Sequence, residues 1–518
     1  MLYQYNIANW VKYWSESHPE KPAIFFENNK ITYRMLQESS QKVAAWLDAS
    51  GIHSGDRVAV MLRNCPEFVE IYLACAQIGA ILVPLNTRWT HSELNWAMNN
   101  AEPNIVIYES SFGESLEIDN RQRYPEGMIL SRVGDSKSGF NIRDYHAETR
   151  TGDFSKQPDL NYPYPEKPEQ HQVIMYTSGT SGRPKGALLA LRKTYYNCLN
   201  AGEYFNFQHD DIMLVVSPLY HSGGLFIQVS PCLFYGATIV LHQSFNPIHI
   251  YHDIENYRIT KFSAVPTMLR MLLDVPVQNR ADISSLIICA IGGEKVTTKL
   301  LDLCRCSGFP IRQIMGQTET SIILWASEED LLSNPNTIGK PVCHGEVEIF
   351  DNYNQPVYPG IVGELVVRGP ICMSGYWKED KKTQTSMKKG WLHTGDLAWR
   401  GNEGYFFFSD RKKDMYISGG ENVYPAEVES VLKDYPEIAE VAVIGIADEK
   451  WGEVGHAYII KKNGTDFSLQ MLEGFLQNRL ARFKWPKKMT FCKKFPKTST
   501  GKIKKYELPA VGEQKDRT

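Results

Sequence analysis

The sequence is short of several things, and each shortage excludes something. No stretch approaches the roughly 20 consecutive apolar residues of a membrane span. The N-terminus, MLYQYNIANWVKYWSESHPEKPAIFF, lacks a basic segment followed by an apolar one, which argues against a secretory signal. Net charge is scarce too. Fifty-six Lys and Arg against 59 Asp and Glu leave −3 at pH 7, with a pI near 6.5, so there is no global pull toward nucleic acid. The ten cysteines are scattered without a C-x-x-C pair, and the lone C-x-C at Cys304 and Cys306 has no second pair to complete a zinc site. No internal repeat or low-complexity tract stands out. A reduced, cytoplasmic chain is expected, and peripheral membrane contact stays open.

What is present is an ordinary globular composition, 43% hydrophobic and 22% charged, in a chain whose 518 residues exceed one core, so two or more domains are expected. Strand and helix patterns alternate. Asp56–Leu62 reads as a buried strand, Pro66–Ala80 as a helix with Pro in its first turn, and Ile81–Asn86 as a strand. The order recurs at Ala237–His242, Asn246–Ile259 and Lys261–Pro266, the pattern of a mostly parallel, helix-covered α/β sheet. Arg150–Gln170, rich in Pro and charge, reads as a surface connection. After about Val347 the strands become short, as in EVEIFD, GELVVRG and GYFFFSD. Beyond the charged stretch Ser409–Pro425, the segments PAEVESVLKDYP, IAEVAVIGIAD, GHAYIIKK and LQMLEGFLQNRL predict helix, strand, strand, helix. Those elements suffice for a small α+β domain.

The densest signal is YTSGTSGRPKGA, Tyr176 to Ala187. A Gly/Ser/Thr loop between a strand and a helix exposes backbone N–H groups that suit an anion, and the pattern after Ala187 is compatible with a helix. It is not a Walker A loop. Lys185 follows Pro184 and precedes Gly186, so both the Gly-Lys approach and the metal-binding hydroxyl are missing. Taken alone, the stretch also fits a solvated surface loop.

Together with Tyr176–Gly186, the segments PLYHSGG (Pro218–Gly224), GGE (Gly292–Glu294), MGQTET (Met315–Thr320), GELVVRG, GWLHTGD (Gly390–Asp396), DRKKDMYISGGENVYPAEVE (Asp410–Glu429) and PKTSTGKI (Pro496–Ile503) resemble, in order and spacing, the adenylate-forming superfamily of acyl-CoA synthetases, adenylation domains and luciferases. The resemblance spans nearly the whole chain. It implies an α/β fold: a large N-terminal domain, residues 1–410, of parallel-rich helix-covered sheets with a small barrel-like β subdomain. A small mobile α+β domain, residues 411–518, follows, hinged near Lys413. It also implies two half-reactions, in which ATP and Mg2+ convert a carboxylic acid to an acyl-adenylate with release of pyrophosphate, and CoA then displaces AMP.

By the same resemblance, Thr177, Ser178, Gly179, Thr180 and Lys185 hold the β- and γ-phosphates, with Thr180 near the metal. Gly292, Gly293 and Glu294 line the adenine site, where a side chain on either glycine would crowd the base. Met315, Gly316 and Gln317 lead into Thr318, a donor to the α-phosphate, and Glu319, the magnesium anchor, whose carboxylate suits a hard cation. Met315 stands where the family commonly places a Tyr on the adenine. Taken alone, Thr318-Glu319 also reads as a helix N-terminal cap. Asp396 would accept both ribose hydroxyls, and Arg411 would approach the same ribose. Lys502 resembles the family's C-terminal catalytic lysine, a mobile point charge for the carboxylate and α-phosphate. Ser418, Gly419 and Gly420 would form the pantetheine entrance. His221, counted with the catalytic group, is an aromatic wall or gate rather than an acid or base, since the substrate is already ionised.

The acyl end of the site is sketched by Tyr220, His221, Gly223, Gly224 and Val265–Met268. YHSGGLF carries no acidic residue to pair an amino group, which favours an uncharged acyl chain. The C-terminal motifs look most like fatty acyl-CoA synthetases, so a medium- or long-chain fatty acid is the first expectation. An aryl or succinylbenzoate-type acid, or an acyl-AMP ligase loading a carrier protein, is the alternative. The partners expected are a small carboxylic acid, ATP and CoA, without nucleic acid; a homodimer stays open.

Overall fold

The computed structural model describes residues 5–113, 116, 129–133, 143–151, 164, 167–177, 184–293, 296, 298–411, 416–423, 425–462, 465, 467–496, 503, 505 and 508. The chain divides into two compact units. The first comprises 1–87, 98–176 and 186–410, and the second 88–97, 177–185 and 411–518.

In the first unit the alternating pattern becomes two sheets. Val58 of the strand Arg57–Met61 pairs in parallel with Leu82 of Ile81–Pro84 on one side and Ile105 of Ile105–Glu109 on the other. The helix Pro66–Ile78 connects the first two of these strands. Pro66 suits its first turn, where no intrahelical N–H bond is lost, and Gly79 ends it at φ +76, a conformation costly for any residue with a Cβ. Both of its faces are buried, as befits a helix lying inside the core.

The second sheet carries five neighbouring parallel strands in the order Thr238–Leu241, Ile212–Val215, Lys261–Ala264, Ile288–Ile291 and Ile311–Gln317. All residues of the Thr238–Leu241, Lys261–Ala264 and Ile288–Ile291 strands are buried, which explains their continuous rather than alternating apolar character. The helix Pro247–Asn256 begins at Asn246, whose side chain accepts from Ile248 N and His249 N. After Gln317 the chain reverses, and Ser321–Ala326 pairs antiparallel with Ile311–Gln317. The later strands, Thr337–Pro341, Glu346–Phe350, Gly363–Arg368, Trp391–Arg400 and Phe406–Arg411, continue this sheet antiparallel.

One expectation needs correction. Arg150 belongs to a helix, Tyr145–Thr151, and Tyr164 is buried with its hydroxyl accepting from Gln37 Nε2 at 3.3 Å, so this part of 150–170 is not plain surface chain. Residues 152–163 and 165–166 lie outside the described residues.

In the second unit, Ile438–Asp448 and Gly452–Lys461 form a long antiparallel pair extended by Tyr416–Ser418, Glu421–Val423 and the parallel strand Lys488–Phe491. The helices Pro425–Leu432 and Leu469–Leu476 contribute Val428, Leu432, Leu472 and Leu476 to a core with Tyr416, Val443 and Ile459. A cluster of charged side chains is enclosed in this unit. Lys484 Nζ donates to Glu427 Oε1 at 2.6 Å and to Glu93 Oε1, and all three side chains are buried. Burial pushes the Glu427 carboxyl up to about 7. The two carboxylates raise Lys484 against the opposing effect of its own burial.

Candidate active site

Five parallel strands side by side place their carboxyl ends along one edge, the usual location of ligand sites in open α/β sheets. Four of the motifs follow four of these strands. Pro218–Gly224 comes after Ile212–Val215, Val265–Met268 after Lys261–Ala264, Gly292-Gly293 after Ile288–Ile291, and Thr318-Glu319 after Ile311–Gln317. Segments up to a hundred residues apart in sequence are thus brought together by register alone.

Close packing accounts for the glycines at this edge. A Cβ on Gly292 would lie 2.4 Å from the Ile314 carbonyl oxygen, and one on Gly316 2.0 Å from that of Ser321, both backbone atoms that cannot yield. Gly293 sits at φ +84 beside Val265. Gly224 is pressed on the Pro218 carbonyl, 2.4 Å from where a Cβ would stand. It lies in a π-helical segment, Gly223–Val229, a geometry found frequently at functional sites. His221 lies just before that segment with its ring 4.7 Å from the Tyr220 ring, an arrangement that suits an aromatic wall.

Thr318 and Glu319 do not cap a helix. They occupy the tight turn between two antiparallel strands, closed by Thr320 N donating to Gln317 O at 3.2 Å and Gln317 N donating to Thr320 Oγ1 at 3.1 Å. The helix-cap expectation is thereby corrected, because the polar run is short enough for a hairpin and Ser321 takes φ +59 to complete the reversal. Met315 is half-buried on the strand leading in, opposite Leu324. Gln317 extends its Nε2 to Asp396 Oδ2 at 2.7 Å and to Thr394 O at 3.1 Å, so Asp396 joins the same cluster although it lies in another part of the sheet.

Several supporting residues went unnoticed in the sequence. Tyr376 donates its hydroxyl to Glu319 Oε1 at 3.0 Å. Glu364 accepts from Gly395 N at 3.2 Å and lies 2.9 Å from His393 Nδ1, holding the part of the Trp391–Arg400 strand that presents Asp396. Asn64 donates to Ser217 O and His242 O, each at 3.0 Å, and accepts from Leu219 N at 2.9 Å, fastening the start of the PLYHSGG segment. GELVVRG contains Glu364, but neither Tyr376 nor Asn64 belongs to any recognised segment, and only tertiary placement reveals them.

The Tyr176–Ala187 stretch departs from expectation. Thr177 ends one strand, His171–Thr177, and Lys185 begins another, Lys185–Ala190, which lies beside it in the sheet. The loop therefore joins strand to strand, and the helix Leu191–Tyr204 begins one element later. The short apolar run after Lys185 suits either period, and a Cβ on Gly186 would fall 2.6 Å from Ile174 Cγ2, a spacing set by the neighbouring strand. Ser178, Gly179 and Thr180, like Glu294, Lys413 and Lys502, lie outside the described residues. Arg411 is the last residue of Phe406–Arg411. In the second unit Ser418 is buried, and Gly419 and Gly420 take φ +58 and +80 in a turn against Trp451, conformations that favour glycine.

The comparisons with known proteins agree with this construction. The family of AMP-binding enzymes matches residues 11–377, and the AMP-binding enzyme C-terminal domain matches residues 427–502. The chain belongs to this family. Indoleacetate–CoA ligase of Aromatoleum aromaticum is 34% identical over 97% of this chain and 97% of its own. Feruloyl-CoA synthase of an Amycolatopsis species is 34% identical over 97% and 98%. The solved o-succinylbenzoate CoA synthetase from Bacillus subtilis, a double mutant bound to a product analogue, superposes with a TM-score of 0.85 at 31% identity, covering 97% of this chain and 98% of that one. The same Bacillus enzyme has been solved with ATP and magnesium ion. The α/β architecture with a large N-terminal and a small C-terminal domain is that of these neighbours.

Glu319 fits a magnesium site of this kind. Mg2+ is commonly held by one or two carboxylates together with substrate phosphates, and the Glu319 carboxylate is oriented by the Tyr376 hydroxyl. Among the described residues there is no helix long and apolar enough to cross a membrane.

Proposed function

We propose that this chain activates an aromatic carboxylic acid, converting it to an aryl-acyl adenylate and then to its CoA thioester. The enzyme is an AMP-forming acid–CoA ligase and uses ATP, Mg2+ and CoA. Indoleacetate, ferulate and succinylbenzoate, named by its relatives, are all aromatic, which fits an aryl acid better than the fatty acid first expected. The convergence of four motifs on one carboxyl edge, joined to Asp396 through Gln317, carries the catalytic part of the reading.

The chemistry follows from charge. A carboxylate oxygen attacks the α-phosphorus of ATP, and the bond from that phosphorus to the bridging oxygen breaks as pyrophosphate leaves. Negative charge concentrates between two anions, so N–H, hydroxyl and cationic groups are needed there. Thr318 donates to an α-phosphate oxygen, Asp396 holds the ribose, and Lys185 and Lys502 neutralise the phosphates and the attacking carboxylate. Bound at Glu319, Mg2+ would supply Lewis-acid neutralisation of phosphate charge. In the second half the CoA sulfur attacks the acyl carbon and AMP departs with the electron pair of the broken C–O bond. Ser418–Gly420 supply the close backbone approach that a pantetheine arm needs.

Pyrophosphate release measured over indoleacetate, ferulate, benzoate, octanoate, palmitate and several amino acids, with and without CoA, tests the reading. The highest kcat/KM is expected for an aryl acid, with CoA-dependent turnover. Octanoate or palmitate outperforming every aryl acid would overturn the substrate class.

A further inference from the structure

The helix Leu191–Tyr204 carries a polar stripe where an apolar one would be expected. Lys193, Asn197 and Asn200, spaced i, i+4 and i+7, are fully buried on one face. Asn197 Nδ2 donates to Phe226 O in the π-helical segment, and Asn200 Oδ1 accepts from His344 N at 3.0 Å. Lys193 is the most unusual of the three. Its Nζ donates to Ser321 Oγ and stands 5.2 Å from the centre of the Phe226 ring, with no carboxylate within ion-pair distance among the described residues. An ammonium taken out of water normally finds a carboxylate or is replaced by an apolar side chain.

Its two contacts lie on two sides of the site. Ser321 completes the reversal that presents Thr318 and Glu319, and it adopts a left-handed backbone unusual for a residue with a Cβ. Phe226 belongs to the segment Gly223–Val229 that continues the acid-side motif. We propose that Lys193 is a positioning residue for adenylation: its ammonium ties the Gln317–Ser321 turn to the π-helical segment, so that the groups meeting the α-phosphate and those meeting the acid keep a fixed spacing. The inference rests on the functional reading above. It adds to that reading a residue that touches neither ATP nor the acid. Burial lowers the lysine to about 7. Cys372, Glu319, Arg192 and Cys198 are the charged or titratable groups acting on it.

The test compares Lys193→Met, Ser321→Ala, the double variant and Glu319→Gln in the full-length enzyme. Lys193→Met, close in length and apolar, is expected to keep or raise the melting temperature, because it removes a buried charge. It should reduce kcat for pyrophosphate–ATP exchange and weaken calorimetric Mg2+–ATP binding, each by about 10–100-fold, the usual effect of losing a supporting contact. Thioester formation from supplied acyl-adenylate should be spared. Ser321→Ala should shift the same quantities in the same direction, and the double variant should be no worse than the worse single one. A folded Lys193→Met with wild-type exchange and wild-type nucleotide binding overturns the proposal, as does equal loss of both half-reactions. Should Lys193→Met fail to fold, Ser321→Ala decides alone, and wild-type exchange there is equally fatal. Exchange that survives Glu319→Gln would instead refute the functional reading. Loss there with none in Lys193→Met or Ser321→Ala refutes only the role of the lysine.

Discussion

Gly316 shows how one missing side chain shapes the site. The strand register slips between Met315 and Gly316, and the slip presses residue 316 against the Ser321 carbonyl. Gly316→Ala would force the two strands apart at the base of the turn that carries Thr318 and Glu319. Overpacking of this kind costs about 1–3 kcal/mol. Urea unfolding should show that loss, and pyrophosphate–ATP exchange should fall with it. Gly404→Ala makes a useful control for glycine loss in general. It has φ +83 but nothing within 4 Å of its would-be Cβ, so it should lower stability through backbone strain while leaving exchange at the wild-type level.

At the scale of elements, the enclosed Lys484 gives a prediction with a pH signature. Lys484→Met leaves Glu93 and Glu427 buried together without a cation. Removing one partner of a buried ion pair typically costs about 3–5 kcal/mol. The Glu427 carboxyl, raised to about 7 by burial, binds its proton more tightly folded than unfolded. Its own titration therefore favours folding most at acid pH, below its unfolded value, and that contribution fades as pH rises through about 7. In the variant, protonation relieves the bare carboxylates, so the destabilisation seen by chemical denaturation should be larger at pH 8 than at pH 5. Equal loss at both would mean that the lysine acts only by filling space.

The same scale shows what the sequence made legible and what it hid. Strands such as Arg57–Met61 and Lys261–Ala264, and helices such as Pro66–Ile78, carry their own punctuation, and the sequence pattern places them to within a few residues. Lys185–Ala190 is not so placed, because the five apolar or small residues after Lys185 do not distinguish a buried strand from the opening of a helix. Thr318-Glu319 suited a helix cap locally and became a hairpin turn only because Ser321–Ala326 found a partner across the sheet. The motif residues of the site stood out by resemblance. Tyr376, Asn64 and Lys193 did not, since their roles depend on partners 57, 153 and 128 residues away. The acid is less legible for a different reason: the uncharged YHSGGLF stretch argues against amino acids but does not separate an alkyl chain from an aromatic ring, and it is the aromatic acids named by the relatives that favour the aryl alternative over the fatty acid first expected.

At the scale of the whole molecule, the two proposed half-reactions make opposite demands on the C-terminal residues, and two substitutions should separate them. Lys502 is proposed to neutralise charge at the α-phosphate, where charge gathers only during adenylation. Lys502→Ala should lower pyrophosphate–ATP exchange by about 10²–10³-fold, the usual loss for one such donor, and spare thioester formation from supplied acyl-adenylate. Lys413 is proposed to absorb a backbone rotation between the two steps. Lys413→Pro locks φ near −65° and deletes an N–H, which hinders rotation there without touching the nucleotide. Exchange should then persist while CoA thioester formation falls steeply, the reverse of the Lys502→Ala result. The comparison needs the same aryl acid for both variants, with melting temperatures confirming that each is folded. If the proline variant is folded and loses both steps alike, or neither, Lys413 is an ordinary loop lysine and the pivot lies elsewhere.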